Sequence, residues 1–270
     1  MPETAEPALT ISPTVVFHGS RDLPRVSLTF DACQDRGPVT GFDRPIIDIL
    51  SDTGTPATLF LSGLWIRHHP QETAELAANP LFELGNHAWS HPDFERIDRG
   101  TMVREITDTQ TLIARYTGHE PVLFRFPYGR YSATALETVT GHGLVPVQWD
   151  VEPGDPGPDV SVADILHTVE RRTQNGSIII LHMNGNGQQT AEALAYVIRS
   201  LRQRGFDLVT VSQLLEGHAG PKMSGPVCIY GNMHYNTPAV FTAPPASHLG
   251  AGCAWASDYF CIVAQRCGCG

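Results

Sequence analysis

The chain has 270 residues, of which 18 are Lys or Arg and 28 are Asp or Glu, so its formal net charge at pH 7 is −10. This acidic surplus argues against a nucleic acid or an anionic membrane as partner, because binding to either requires clustered cations. Charged residues make up 17% and hydrophobic residues 41%, a balance that excludes a disordered acidic tail or a coiled coil. No run of 18 apolar residues occurs, so the sequence predicts no membrane span.

The composition changes near residue 217. The first 216 residues carry 16 basic and 27 acidic groups, whereas residues 217–270 hold three charged residues and five of the six cysteines. We therefore predict a folded domain over residues 15–216, followed by an irregular, cysteine-rich, weakly structured segment over residues 217–270. Disulfides, zinc ligation or a poorly ordered tail each agree with the cysteine pattern of that segment.

Seven short apolar or β-branched runs occur in the first 216 residues, and each has the length of a strand. In chain order these runs are 26–30, 57–61, 81–84, 122–126, 144–148, 177–181 and 206–210. Helical patterns lie between the runs, where apolar residues recur at three- and four-residue spacing. The two clearest patterns consist of Met102, Val103, Ile106 and Ile113, and of Ala191, Leu194, Ala195, Ile198 and Leu201.

Two capping boxes predict the starts of further helices. They are Ser161 with Asp164, and Thr210 with Gln213. Strands that alternate with helices predict a parallel sheet, and about seven such units favour closure into a barrel over an open sheet.

Polar residues cluster at the ends of the predicted strands. In a βα barrel the carboxyl ends of all strands open on one face, where the connecting loops build the active site. Residues that are 150 positions apart are therefore predicted to converge. These residues are Asp31 after the first strand, Asn86 and His87 after the third, Arg125 in the fourth, Trp149 and Asp150 after the fifth, and His182 after the sixth.

His87 and His91 are a candidate metal-binding pair. On a helical turn, a four-residue spacing puts both imidazoles on one face, where they can bind one ion. Neutral imidazole suits zinc, cobalt, nickel or iron. The same spacing occurs on solvated helix surfaces, so spacing alone leaves both interpretations open.

Asp31 follows the apolar side chains of Val26, Leu28 and Phe30, which predicts a carboxylate at the mouth of the core. One interpretation makes it a helix cap or a simple ion-pair partner of Arg125. The other makes it a general base whose pKa is held by that arginine. Spacing leaves the two open.

His182 ends the most hydrophobic predicted strand. It either bonds a backbone group beneath a loop or transfers protons near neutral pH, since burial and a carboxylate partner would tune its pKa. Asp150 and Asp155 are the candidate partners.

Five ordered motifs resemble those of the polysaccharide deacetylase family, which is also called the NodB-homology domain or carbohydrate esterase family 4. The TFDAC form of the first motif is similar to one branch of that family. The resemblance extends from about residue 15 to residue 216. The motifs are LTFDAC around Asp31, GNHAWSHPDF around His87, FRFPYGR around Arg125, VQWDVEPGDP around Trp149 and SIIILHMNG around His182.

The resemblance implies a distorted (β/α)7 barrel that removes acetyl groups from N- or O-acetylated sugars of an oligo- or polysaccharide. It also implies a divalent metal, with Zn²⁺ first and Co²⁺ or Ni²⁺ as alternatives. By position, the resemblance implies that Asp31 is the general base, that Arg125 orients Asp31, and that His87 and His91 are metal ligands. It implies that His182 is the general acid, with Asp155 as its partner. Tyr128 would line the groove and offer a backbone N–H to the oxyanion.

These roles suit hydrolysis of an acetyl amide or ester. A metal can bind both the attacking water and the carbonyl oxygen, while Asp31 takes the proton of that water and His182 protonates the leaving group. The aromatic rings of Tyr128, Trp149 and Trp89 offer flat faces for a sugar, although core packing is the favoured interpretation of Trp89.

The sequence departs from the family pattern at Ala32. The family's first motif usually has two consecutive aspartates, the second a metal ligand, and alanine cannot coordinate. The third donor would then be Asp31, Asp35 or water. Neighbouring side chains on an extended segment point to opposite faces, and we interpret Cys33 as a small buried hydrophobic residue rather than a ligand.

Two other functions remain open for this sequence. One is a catalytically silent glycan-binding barrel, and the other is a hydrolase of the same fold that acts on a small cyclic amide or ureide. The N-terminus shows no signal-peptide pattern, whereas the family resemblance suggests a secreted or periplasmic protein. The sequence gives no indication of an oligomeric state.

Overall fold

The computed structural model describes residues 14–216. The expectations about the N-terminal signal and about the cysteine-rich segment 217–270 concern residues outside this range. Within it, seven strands form one parallel sheet in the order β5-β4-β3-β2-β1-β6, and β7 also pairs with β1. The strands are β1 (Arg25–Ala32), β2 (Ala57–Leu61), β3 (Phe82–Asn86), β4 (Leu123–Phe124), β5 (Val145–Pro146), β6 (Ile178–His182) and β7 (Asp207–Leu208).

Helices follow the strands in the alternation that the sequence predicts. They are α1 (Arg44–Asp52), α2 (Gly63–His68), α3 (Pro70–Ala78), α4 (Arg99–Thr117), α5 (Ala133–Gly141), α6 (Val162–Arg172), α7 (Thr190–Gln203) and α8 (Val211–Leu215), with a short 3-10 turn at Pro127–Gly129. Proline at the first helical positions starts α1 and α3, where its missing N–H has no intrahelical partner to lose. The two predicted capping boxes begin α6 and α8.

Strand β1 lies between β2 and β6 and presents two chemically different faces. Val26, Leu28, Phe30 and Ala32 are buried in the largest apolar cluster, together with residues of α1, α2 and α7. Because side chains alternate along a strand, the intervening residues point to the opposite face, inside the curl of the sheet. Asp31 lies on this inner face.

The inside of the curled sheet has its own apolar filling. Phe60, Leu123, Val147 and Ile178 come from four different strands or strand ends and pack with Leu214 of α8. This cluster closes the amino end of the strands, as a packed barrel interior does.

Single-residue pairings bring the sheet towards closure. Val151, beyond β5, makes a parallel bridge to Ile179 of β6, and Val16 bridges Val147. The parallel α/β architecture with a curled, barrel-like sheet confirms the predicted fold class. No helix among residues 14–216 is both long and apolar enough to cross a membrane.

Each predicted strand overlaps an observed strand, and both helical patterns fall in helices, α4 and α7. Boundaries differ most at β4, β5 and β7, which are two residues long rather than five. β5 ends at Pro146, which has no backbone N–H to donate.

Candidate active site

A cavity of about 340 Å³ lies where the carboxyl ends of β1, β3 and β6 meet. Its lining includes five of the residues that the sequence singles out, namely Asp31, His87, His91, Tyr128 and His182. The sequence predicts Asp31 directly after the first strand, but it lies inside β1, because the strand continues to Ala32. Convergence follows from parallel pairing, which aligns Asp31 with His182 across neighbouring strands.

A buried ion pair fixes Asp31. Nη1 of Arg125 donates to Asp31 Oδ1 at 2.7 Å, and the remaining guanidinium donors reach Thr29 Oγ1 and the carbonyl oxygens of Val147 and Gln148. Arg125 is fully buried and lies directly beyond β4, whereas the sequence predicts it within the strand. Burial acts to raise the pKa of Asp31, but the nearby charges, Arg125 above all, lower it below its ordinary value.

A loop, not a helical turn, brings His87 and His91 together. Residues 87–91 have no helical structure, so the predicted helical turn is wrong, and Ala88 and His91 adopt positive φ of 61° and 51°. The ring centroids of the two histidines lie 4.8 Å apart. Positive φ in a non-glycine residue is strained, and such strain often accompanies a functional site.

The imidazole rings of His87 and His91 are both neutral, which is the form that binds a metal ion. Nδ1 of His87 lies 2.9 Å from the carbonyl oxygen of Arg125, which can only accept, so Nδ1 carries the proton and Nε2 keeps its lone pair. Burial lowers the pKa of His87. Burial, together with the repulsion that a protonated His87 would exert, lowers the pKa of His91 to about 3. A lone pair is therefore available on each ring for a metal ion.

His182 is held by Asp155. Its Nδ1 lies 2.9 Å from Asp155 Oδ1, and the other carboxylate oxygen accepts from the His182 backbone N–H and from Thr190 Oγ1. Burial acts to lower the pKa of His182, but the hydrogen bond and charge of Asp155 raise it above its ordinary value. A Cβ at Gly187 would approach Asp155 Oδ2 to 2.8 Å, so this cluster requires glycine there.

The donor atoms at this cavity fit a divalent metal. Cys33, His87 and His91 offer one donor each, and the three atoms lie within 4.8 Å of one another. A second overlapping group consists of Asp31, Cys33 and His182. Neutral imidazole and sulfur donors are those that zinc and its neighbours in the transition series prefer.

The model of one protein family matches much of the domain. The polysaccharide deacetylase family model matches residues 18–147. The chitooligosaccharide deacetylase of Sinorhizobium fredii is 32% identical over 205 residues, a match that covers 70% of this chain and 91% of that relative. The chain belongs to the polysaccharide deacetylase family.

Other relatives in the family carry different substrate names. The peptidoglycan-N-acetylmuramic acid deacetylase PdaC of Bacillus subtilis is 31% identical over 191 residues, which cover 71% of this chain but only 38% of PdaC. The solved Bc1960 peptidoglycan N-acetylglucosamine deacetylase has a TM-score of 0.69 at 29% identity and covers 75% of this chain and 92% of that chain. A family pseudoenzyme from Bacillus anthracis reaches a TM-score of 0.67 at 21% identity, with 76% of this chain and 69% of that chain covered; this likeness shows the fold alone.

The remaining predicted residues lie at different distances from the cavity. The ring of Tyr128 lines it, contacts His91 with a centroid separation of 4.4 Å, and is 57% exposed. Trp149 is half-buried and outside the cavity lining, with its ring 5.5 Å from the Arg125 guanidinium carbon. Trp89 packs over Gly63 at the start of α2. Asp150 binds Arg21 rather than His182, so Asp155 is the partner of the two candidates.

Sequence reasoning missed the residues of α4 that hold the histidine loop. Glu105 accepts from both the backbone N–H and the Oγ of Ser90, at 2.6 and 2.7 Å. Asn86 accepts from the Ala88 N–H and donates to Gln110. The sequence does contain a signal for these residues. Glu105 and Gln110 lie on the apolar face of the predicted helix, with Met102, Ile106 and Ile113. Polar side chains buried on such a face require hydrogen-bond partners.

Cys33 is half-buried and lines the cavity, which differs from the small buried hydrophobic residue that the sequence predicts. Ala32 and Cys33 do point to opposite faces, but Ala32 faces the helices and is fully buried in the core, whereas Cys33 lines the cavity. Burial, followed by the charge of Asp31, raises the pKa of the Cys33 thiol well above its ordinary value.

Proposed function

We propose that this domain is a metal-dependent hydrolase that removes acetyl groups from N- or O-acetylated sugars of a polysaccharide. The observation that carries the proposal is the meeting of two carboxylate-containing pairs, Asp31 with Arg125 and His182 with Asp155, at one cavity that also holds two neutral imidazoles. One pair supplies a proton acceptor and the other a proton donor. Hydrolysis of an acetyl amide or ester needs both.

Asp31 acts as the general base. Its Oδ1 accepts from Arg125, and its Oδ2 lies 3.6 Å from Nε2 of His87, towards the proposed metal ligands. Because the pKa of Asp31 is lowered, the carboxylate is ionised at neutral pH and Oδ2 can accept the proton of a water molecule. A divalent metal held by His87 and His91 would polarise the acetyl carbonyl and lower the pKa of the attacking water.

His182 acts as the general acid. Asp155 holds the proton on Nδ1 and stabilises the charged ring, so Nε2–H can protonate the departing nitrogen or oxygen as its bond to the acetyl carbon breaks. The raised pKa of His182 favours the charged ring, which is the form that can donate a proton.

Several observations support an acetylated glycan as substrate. Relatives of this chain are named for chitooligosaccharide and peptidoglycan deacetylation. The exposed ring of Tyr128 offers a flat surface at the cavity, and its positive φ of 59° sets the direction of its backbone. The net charge of −10 favours a neutral or amine-bearing glycan over an anionic one.

Two variants test this proposal. We expect His87→Ala to lose both bound metal and activity, because it removes a ligand, and Asp31→Asn to keep metal but lose acetate release by about 10²–10⁴-fold, the usual contribution of a general base. The measurements are metal content of the purified protein and acetate release from acetylated chitin, peptidoglycan and xylan oligosaccharides. His167→Ala and Asp48→Asn, at exposed helix positions, are the matched controls.

The alternative functions are outcomes of the same experiment. Glycan binding without acetate release from the Zn²⁺- or Co²⁺-loaded protein would identify a silent binding barrel. Turnover of cyclic amides or ureides without acetate release would identify a different hydrolase. Loss of metal from Asp31→Asn would show that Asp31 is itself a ligand.

A further inference from the structure

We infer that the sulfur of Cys33 is the third protein ligand of the metal, so that the site is a thiolate–bis-imidazole centre. This inference rests on the proposed function and specifies its metal site. The family's usual third ligand is a carboxylate at the position of Ala32, and because alanine has no donor atom, another residue must supply the third ligand here.

The register of β1 decides which side chain reaches the cavity. Ala32 continues the outward series of Val26, Leu28 and Phe30, and all four are fully buried in the apolar cluster beneath the helices. Cys33 is two residues from Asp31, and both residues line the cavity. Alternation along an extended chain puts such residues on one face.

The backbone of Cys33 is fixed in place. Its carbonyl oxygen accepts from Nδ2 of Asn184 at 2.6 Å and from Oγ1 of Thr40 at 3.0 Å. Two donors from separate loops hold this peptide, and the direction of the side chain is set by that backbone. A ligand whose main chain is already ordered loses less conformational freedom when it binds an ion.

The spacing of the donors matches a tetrahedral zinc site. Sγ of Cys33 lies 3.6 Å from Nε2 of His87. Zn–S and Zn–N bonds of about 2.3 and 2.0–2.1 Å at a tetrahedral angle require an S···N separation of about 3.6 Å. The donor atoms of Cys33, His87 and His91 all lie within 4.8 Å of one another, and three protein ligands leave one position open for substrate or water.

Asp31 and Asp35 line the same cavity and are the competing donors. Asp31 directs Oδ1 to Arg125 and is the proposed base. Asp35 is exposed, and its Oδ1 accepts from the backbone N–H of Gly37 at 2.7 Å. A thiolate ligand also changes metal preference, because sulfur favours Zn²⁺ and Co²⁺ over the hard ions Mg²⁺, Ca²⁺ and Mn²⁺.

The test uses the full chain loaded with Co²⁺, whose thiolate complexes absorb in the near ultraviolet by charge transfer. We expect this band in the unsubstituted protein and its loss in Cys33→Ala. His87→Ala should remove the same band, which assigns it to this cavity rather than to the cysteines of residues 217–270. Asp35→Ala should retain it.

Zinc affinity, measured by competition with a chromophoric chelator, provides a second readout. Cys33→Ala should weaken it by more than about 100-fold, since loss of an outer-shell partner alone costs 10–100-fold. Cys33→Asp should recover most of the affinity without the charge-transfer band, because a carboxylate replaces the sulfur donor. Matching circular dichroism spectra establish that each variant is folded.

The outcomes separate this inference from the proposed function. If Co²⁺ binds stoichiometrically, depends on His87 and supports acetate release, yet gives no thiolate band, the inference is overturned and the proposed function stands. Unchanged zinc affinity in Cys33→Ala has the same meaning. A protein that binds no metal through His87 and releases no acetate overturns both.

Discussion

Asp155 is a single side chain that controls the protonation state of His182, the proposed general acid. One of its oxygens faces the ring of His182, and the other accepts from the His182 backbone N–H and from Thr190. The carboxylate thus fixes the position of the ring and its tautomer together. Without it, burial and the charge of Arg125 would act to lower the pKa of the ring, opposed by the charge of Asp31.

Replacement of Asp155 by Asn tests this role. Because the raised pKa of His182 falls when the charge is removed, the alkaline limb of kcat/KM should move to lower pH, and kcat should fall by about 10²–10⁴-fold. The measurement is a pH–rate profile on an acetylated oligosaccharide. Asp159→Asn, exposed in the same loop, should leave the profile unchanged. An unshifted alkaline limb in Asp155→Asn would show that His182 is not the titrating acid.

At the scale of elements, α4 supports the loop that carries His87 and His91. Its inner face combines apolar residues with Glu105, which is 6% exposed and receives both hydrogen bonds of Ser90. The loop backbone has positive φ at Ala88 and His91, a conformation that persists only when its surroundings enforce it. The hydrogen bonds to α4 therefore hold the five-residue loop in this conformation.

Glu105→Ala should weaken both the loop and the proposed metal site. Loss of the carboxylate leaves the buried N–H and hydroxyl of Ser90 without partners, which costs about 1–3 kcal/mol of unfolding free energy. Zinc affinity should fall about 10–100-fold, as expected for a residue that positions ligands. Urea unfolding and chelator competition measure the two effects. Asp108→Ala, exposed on the same helix, is the control, and an equal loss of affinity there would contradict the assignment.

At the scale of the whole domain, the N-terminal segment and the chain beyond β5 draw the curled sheet together. Asp150 accepts from Arg21, from the Oγ of Ser177 and from the backbone N–H of Ile178, at 2.7–3.0 Å. Asn175 in turn donates to the carbonyl oxygen of Arg21. This polar cluster lies away from the cavity lining and joins segments that are distant in sequence.

Asp150→Ala should therefore destabilise the domain without altering its chemistry. Unpaired donors at Ser177 and Ile178 cost about 1–3 kcal/mol, whereas zinc affinity should stay unchanged because no ligand contacts Asp150. Urea denaturation with a parallel zinc titration measures both. The control is Asp22→Ala, at an exposed position next to Arg21, which should change the free energy of unfolding by less than about 0.5 kcal/mol. Loss of zinc affinity in Asp150→Ala would place this cluster in the metal site instead.

The sequence by itself determined the alternation of strands and helices, because hydrophobic periodicity is local. It also determined the ordered motifs of the polysaccharide deacetylase family, and hence that Asp31, Arg125 and His182 belong to one site. Capping boxes at Ser161 and Thr210 were predictable for the same reason, since each depends on residues three apart.

Only the tertiary structure decided which face of β1 meets the cavity. Strand alternation makes Ala32 and Cys33 opposite, but which of them points inward depends on where the helices pack, and that is a long-range property. The same holds for Asp150 and Asp155, since their separation in sequence does not reveal which one faces His182. The loop form of residues 87–91 likewise depends on buried partners outside the loop: Asn86 at the end of β3 accepts from the backbone N–H of Ala88, and Glu105 on α4 accepts from that of Ser90.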